Sequence, residues 1–291
     1  MRREAIVACV ALGVGTVGMT GCSSPVEPPP PAFNPGTPEV KNLSVAYPAG
    51  PYGVGEGSTI EDLQFIGYVN AVANTKTMQV IGLGDFYNPH GTDATYKPAS
   101  AAEDDRLFPP SSQYGEGKKK PTVLAFDMAS VWCAPCNLES RCVTPVHQHR
   151  YEPCGGGFML QLQDGATPGV AATPKNLFSW AASLYKENFP VAIDPSGRII
   201  NAYAEQQAFP QNYIIDTKTM KIMAKVAGIP DAAFWATYES LLADPSCPAK
   251  QSTCQSDADC AAFAGTSCST TCPANAFTCI PNACQVPGCT Q

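Results

Sequence analysis

The chain has 291 residues, 44% hydrophobic and 15% charged, and its net charge of −7 with no extended basic run excludes an electrostatic footprint for nucleic acid. Its 24 Gly and 28 Pro exceed average usage, so long non-regular segments are expected beside a core that 12 Phe, 11 Tyr and 3 Trp suffice to fill. Fourteen cysteines exclude an ordinary reducing cytosol and point to an exported protein.

The first element in chain order is a leader. Arg2 and Arg3 precede an apolar stretch from Ala5 to Met19, too short for a spanning helix and suited to a signal peptide. The stretch ends in Met19-Thr20-Gly21-Cys22, which resembles the lipobox of bacterial lipoproteins. That resemblance implies removal of residues 1–21 and lipid on Cys22, anchoring the chain in a bacterial membrane; an ordinary secretory signal with an incidental cysteine is the alternative. Ser23, where aspartate would retain many lipoproteins at the inner membrane, leans the expected location to the outer membrane, facing the periplasm or the cell surface. Residues 22–51 carry nine prolines from Pro25 to Pro51 and read as an extended tether.

A folded body is expected over 52–245, with its core at 118–244. Residues 60–117 look like a loop-rich extension with strands near Gln64–Val69 and Met78–Leu83. Lys118-Lys119-Lys120 reads as a solvated loop. Thr122–Met128 is a buried strand, followed by Trp132-Cys133-Ala134-Pro135-Cys136 and a helical stretch with Leu138, Cys142 and Val146 on one face. Pro145 should kink or shorten that helix. A second apolar run, Phe158–Leu162, follows three glycines. Thr173-Pro174 starts another helix, with Leu177, Trp180, Ala181, Leu184 and Tyr185 at helical spacing. Pro190–Asp194 is a short strand, Asn212–Asp216 and Met220–Val226 form a hairpin, and Asp231 caps a last helix bearing Phe234, Tyr238, Leu241 and Leu242. The order β-α-β-α, then β-β-α, describes an α/β body whose first strands are parallel.

A Cys-x-x-Cys at a strand-to-helix junction has a specific chemical use. The first cysteine meets the free N–H groups and dipole of the helix start, which favour its thiolate, and the second lies one turn along, able to close a disulfide. Pro135 stiffens the turn, and Trp132 would shield the pair on one side. These residues, with the strand before them, resemble the active site of the thioredoxin superfamily. Phe209-Pro210 resembles the cis-proline loop that faces the active-site disulfide in that family, although a residue as large as Phe209 departs from its usual pattern. Asp127, six residues before Cys133, stands where the family places a buried acid that moves protons to the second cysteine. With its tether and insertions the chain most resembles the membrane-attached TlpA/ResA type. The resemblance implies a thioredoxin-like fold, a central mixed sheet flanked by helices, with Cys133, Cys136, Pro210, Asp127 and Trp132 as site residues.

Cys142 and Cys154 are the remaining cysteines of the body. A structural disulfide between them is expected, with a second exchanging pair as the sharper alternative. His147 and His149 are expected as solvated surface residues, and His90 as a loop residue without visible partners. The segment 246–291 holds eight cysteines from Cys247 to Cys289 and little apolar surface, so disulfides should hold it together; zinc is disfavoured by the absence of histidine and of Cys-x2-Cys spacing.

The functional expectation is an extracytoplasmic lipoprotein that exchanges thiols and disulfides with protein substrates, using no metal or other cofactor and no nucleic acid. As a reductant it would draw on an unidentified membrane electron donor. The alternative is a binding or structural lipoprotein on the same scaffold without turnover.

Overall fold

The structure, a computed structural model, describes residues 45–110, 112–194 and 208–248, with short stretches of backbone at 32–33, 278–280 and 283–285. The signal, Cys22, most of the tether, most of the cysteine-rich segment and the side chain of Cys142 lie outside the described residues. In chain order the elements are β1 (Ala32–Phe33), β2 (Gln64–Tyr68), β3 (Thr77–Gly82), β4 (Val123–Ser130), α1 (Ala134–Leu138), α2 (Thr144–Tyr151), β5 (Gly156–Asp164), α3 (Pro174–Phe178), β6 (Val191–Ile193), β7 (Gln211–Asp216), β8 (Lys221–Ala227), α4 (Ala232–Ser240) and a small hairpin of β9 (Thr278–Ile280) with β10 (Ala283–Gln285).

The apolar strand beginning near Thr122 becomes β4, buried along its whole length because both of its faces are covered. Val123, Ala125 and Ala129 point into one core, with Phe158, Leu160 and Leu162 of β5, Tyr151 of α2, Trp180, and Trp235 and Tyr238 of α4. Leu124, Phe126 and Met128 point into a second core, where Phe65 meets Leu83, Phe86, Tyr87, Phe108 and Tyr114 of the N-terminal extension. Helices therefore pack on one face and the extension's loops cover the other. The period-2 alternation sorts each strand residue to its side.

The sheet has eight strands in the order β1-β3-β2-β6-β5-β4-β7-β8. β4, β5 and β6 run parallel, while β7 is antiparallel to β4 and β8 antiparallel to β7. A βαβ half joined through a crossover to a ββα half, with the first strand of the parallel set central, is the thioredoxin-like arrangement. The extension adds β2 and β3 to this sheet, β2 pairing antiparallel with β6. Residues 57–60 also run beside the start of β8: Gly57 N–H donates to Ile222 O at 2.7 Å, Ile222 N–H to Ser58 O at 2.9 Å and Ile60 N–H to Met220 O at 2.8 Å.

The helix boundaries follow the expected chemistry. Thr173 Oγ1 accepts from Asn176 N–H at 3.2 Å with Pro174 at the first helical position. Asp231 Oδ1 accepts from Phe234 N–H at 2.9 Å. The helix after the cysteine pair is shortened as Pro145 requires: α1 gives way to a π turn over Glu139–Val143, and α2 restarts with Pro145 in its first turn. A second π turn, Ser179–Leu184, continues α3.

Several expectations are corrected. Cys154 is bonded to Cys247, not to Cys142. α2 alone spans about 12 Å between the two body cysteines at 1.5 Å per residue, beyond the roughly 7 Å a disulfide tolerates. The end of α4 instead returns to Cys154. Thr122 Oγ1 donates to Leu241 O at 2.8 Å, Ala243 lies against Gly155, and Cys247 N–H donates to Asp244 O at 2.9 Å. Cys247, assigned to the tail by sequence, is buried and fastened to the body. Lys120 is not solvated but buried, its Nζ donating to Tyr87 O at 3.1 Å. His90 has partners, Asp105 at 2.9 Å from Nδ1 and a ring stacked on Tyr96 at 3.5 Å. His147 is half-buried rather than solvated, stacked on Trp235 at 3.7 Å, and desolvation pushes its imidazole down to about 3.

Candidate active site

β4 ends at Ser130 and the chain turns at once into α1, so Trp132, Cys133 and Cys136 come together at the carboxyl end of a central parallel strand. Cys133 and Cys136 form a disulfide with Cα atoms 5.3 Å apart. Cys133 is the N-cap of α1, and its Sγ accepts from Cys136 N–H at 3.1 Å. A donor already aimed at Sγ is what stabilises negative charge on that sulfur when the disulfide opens. Asn137 holds the turn from inside, its Nδ2 donating to Cys133 O at 2.6 Å and to Val131 O at 3.1 Å, and its Oδ1 accepts from Tyr185 Oη–H.

The sulfurs are well covered. Cys133 is 2% exposed and Cys136 0%, whereas Trp132 remains 38% exposed. Trp132 does not lie inert over the pair: its Nε1–H donates to Asp164 Oδ2 at 3.0 Å, and the same oxygen accepts from Gly169 N–H at 2.9 Å. The indole and the Phe209 ring meet at a near-right angle, with centroids 6.0 Å apart. Phe209–Pro210 is a cis peptide. Gln211 pairs with Met128 in the β4–β7 register, which brings Pro210 beside the end of β4 from which the cysteine turn departs.

Asp127 lies on the same side of β4 as this core, buried, with neither carboxyl oxygen hydrogen-bonded. Burial pushes its carboxyl up to about 8. It lines a small cavity of about 10 Å³, room for roughly one water, with Glu139, Thr144, Phe158, Asn212 and Trp235 among the walls. Glu139, the first residue of the π turn, is also buried and held well above the usual carboxylate range, by burial first and by Asp127 second; Asn212 Nδ2, donating to Glu139 Oε2 at 3.3 Å, opposes both. The structure therefore gathers Cys133, Cys136, Trp132, Pro210 and Asp127 at one end of the sheet. It adds Glu139, Asn137 and Asp164, which sequence reasoning missed. Glu139 lies three residues after Cys136, and only knowledge of which helix face is buried would have singled it out. Cys154 sits before the start of β5, at the opposite end of the sheet from the cysteine pair.

No family model matches the chain, and no curated protein matches it. Among solved structures, the chain is similar to the exposed lipoprotein thioredoxin of Streptococcus pneumoniae strain TIGR4, at 16% identity over 62% of this chain and 99% of that one, with a TM-score of 0.37. It is similar also to a DsbF homologue from Corynebacterium diphtheriae, at 12% identity over 68% and 100% of the two chains and a TM-score of 0.39. A secreted thiol-disulfide isomerase from Corynebacterium glutamicum shares 14% identity over 68% and 97%, with a TM-score of 0.39.

Proposed function

We propose that the protein is an exported, lipid-anchored thiol–disulfide oxidoreductase that works through Cys133 and Cys136. The observation that carries this reading is the Cys133–Cys136 disulfide, set as the N-cap of the helix leaving a central parallel strand, beside a cis-proline. Strand order and connections support the fold, and the lipobox-like Met19-Thr20-Gly21-Cys22 supports export and lipid on Cys22. Among the described residues no helix is long and apolar enough to cross a membrane.

The chemistry needs only the two sulfurs. A thiolate of a protein dithiol attacks Cys133 Sγ; the Cys133–Cys136 bond breaks, and its electron pair leaves on Cys136 Sγ. The second substrate thiolate then displaces Cys133, so the substrate is oxidised by two electrons and the pair is reduced by two. In reverse, the Cys133 thiolate attacks a substrate disulfide and Cys136 resolves the mixed disulfide. Asp127 would supply or take the proton of Cys136. As a reductant the protein would be recharged by a membrane electron donor.

The test is trapping. Cys136→Ser should accumulate mixed disulfides through Cys133 that reductant releases, and Cys133→Ser should not. Equal trapping by both variants, or none by either, would refute the assignment. The near-complete burial of Cys133, with Phe209 packed on Trp132, favours the second reading, a binding lipoprotein without turnover. That reading expects no exchange with any protein disulfide.

A further inference from the structure

The side-chain amide of Asn137, one residue past the cysteine pair, has all of its hydrogen-bonding atoms in use. Its Nδ2 donates to Cys133 O at 2.6 Å and to Val131 O at 3.1 Å, one hydrogen to each carbonyl, and its Oδ1 accepts from Tyr185 Oη–H. Two carbonyls on one side and a hydroxyl on the other fix which way the amide faces. Cys133 O also accepts from the backbone N–H of Asn137 at 3.1 Å, so one residue holds the same carbonyl twice. The hydroxyl comes from a second element: Tyr185 ends the π turn after α3, 48 residues along the chain. Tyr185 is buried, its N–H donates to Trp180 O at 3.0 Å, and its ring meets that of Trp180 at 72° with centroids 4.7 Å apart.

While the Cys133–Cys136 bond is closed it ties the turn covalently, and the Asn137 bonds duplicate that restraint. Once the bond opens, Cys133 Sγ keeps its contact with Cys136 N–H, 3.1 Å in the closed form, only if the Cys133 backbone stays in place. That backbone is extended, at φ −79° and ψ 110°, so the helical conformation of α1 does not fix it. Its N–H is held by Ser130 O at 3.0 Å and its carbonyl by Asn137. The Asn137 amide therefore counts most in the open form. There its bonds keep the sulfur on its donor, and a hydrogen bond to the charged form favours the thiolate.

We propose that Asn137, oriented by Tyr185, is a positioning residue for thiol–disulfide exchange, holding the Cys133 backbone when the disulfide opens and so stabilising the reduced, thiolate form. This rests on the oxidoreductase reading above. In exchange with glutathione, one glutathione thiolate bonds to Cys133 Sγ while the electron pair of the broken bond leaves on Cys136 Sγ. A second glutathione thiolate then displaces Cys133 and departs as glutathione disulfide. Two electrons pass to the pair, and the two glutathione protons go to the cysteine sulfurs or, where Cys133 stays a thiolate, to solvent. The Asn137 amide bonds to neither sulfur; it acts through the placement of Cys133.

The experiment follows alkylation of Cys133 by iodoacetamide against pH in the mature chain carrying Cys136→Ser, which leaves Cys133 free without reductant; mass spectrometry of the Cys133 peptide reads the rate. Asn137→Ala should raise the midpoint of the profile by about half to one pH unit. With Cys136 restored, it should move the equilibrium with glutathione towards the disulfide by about three- to tenfold, tenfold being about 30 mV. Tyr185→Phe should shift both readouts in the same direction by less, and should add nothing once Asn137 is alanine. A merely structural role gives variants that melt earlier with midpoint and equilibrium unmoved. That result, or a Tyr185→Phe shift that persists without Asn137, would overturn the proposal. Should Asn137→Ala not fold, Tyr185→Phe decides by the same two readouts. Should neither fold, solvent exchange of the Asn137 side-chain amide protons in the Cys136→Ser chain decides: protection supports the role, and exchange at the rate of a free amide refutes it. A protein whose Cys133 profile shifts as expected but which exchanges with no thiol or disulfide, glutathione included, would instead sink the oxidoreductase reading, because alkylation needs no turnover.

Discussion

Replacing Cys154 and Cys247 together by alanine removes a cross-link whose ends are 93 residues apart. In the chain-entropy account, closing a loop of about that size restricts the unfolded chain by about 4.7 kcal/mol, against about 3 kcal/mol for the dozen-residue loop that a Cys142–Cys154 bond would close. Both sulfurs are buried, so part of the loss will also come from packing, while residual structure in the unfolded chain will reduce it. The expected net destabilisation is about 3–5 kcal/mol, a large share of the stability of a single domain. The assay is equilibrium urea unfolding of wild type and Cys154→Ala/Cys247→Ala without reductant, so that the Cys133–Cys136 bond stays closed in both. Peptide mapping of the unreduced wild type should recover the Cys154 peptide joined to the Cys247 peptide. A loss below about 1 kcal/mol, or a Cys142–Cys154 peptide in the map, would refute the reasoning.

Three further outcomes are expected. Asp127→Asn should stabilise the protein near pH 7 by roughly 2–4 kcal/mol: burial raises the folded-state carboxyl to about 8, so wild-type stability is full below pH 4 and drains as pH rises towards 8, a cost the amide does not carry. Unfolding measured from pH 4 to 8 checks this, and the gap between the two proteins should close at the acid end. Asp231→Ala should cost about 1 kcal/mol in thermal unfolding through loss of the bond to Phe234 N–H, and Asp231→Asn should restore most of it. Cys22→Ala should release the protein from membranes into the soluble fraction, because acyl chains are its proposed anchor; retention of the variant through a salt wash would count against lipidation.

Most of the order of elements along the chain and the cysteine turn was legible in the sequence because each rests on local chemistry. The continuous apolar run before Trp132 reads as a strand buried on both faces, and Thr173-Pro174 and Asp231 announce their helices by capping alone. Asp127 was legible by its spacing to Cys133, but its environment was not, since burial depends on what the π turn after α1, β5 and α4 bring from elsewhere. The Cys154–Cys247 bond was out of reach for the same reason: it needs the end of α4 to return to the start of β5, a contact across the whole domain. Lys120 and His147 were misread likewise, because a charged or polar letter carries no mark of the partner that draws it in.

The π turn at Glu139–Val143 makes the helix behind the cysteines an indexing device. An α-helix advances about 100° per residue, so one residue more or less between α1 and α2 rotates everything beyond it by that angle. As built, the phase puts Cys136 inside at one end and Gln148 and Tyr151 inside at the other. Deleting a single residue within 139–143 would leave the disulfide turn intact yet swing the α2 face that carries Tyr151 away from Tyr238. Length here acts as a coordinate, and the segment should tolerate substitution far better than insertion or deletion.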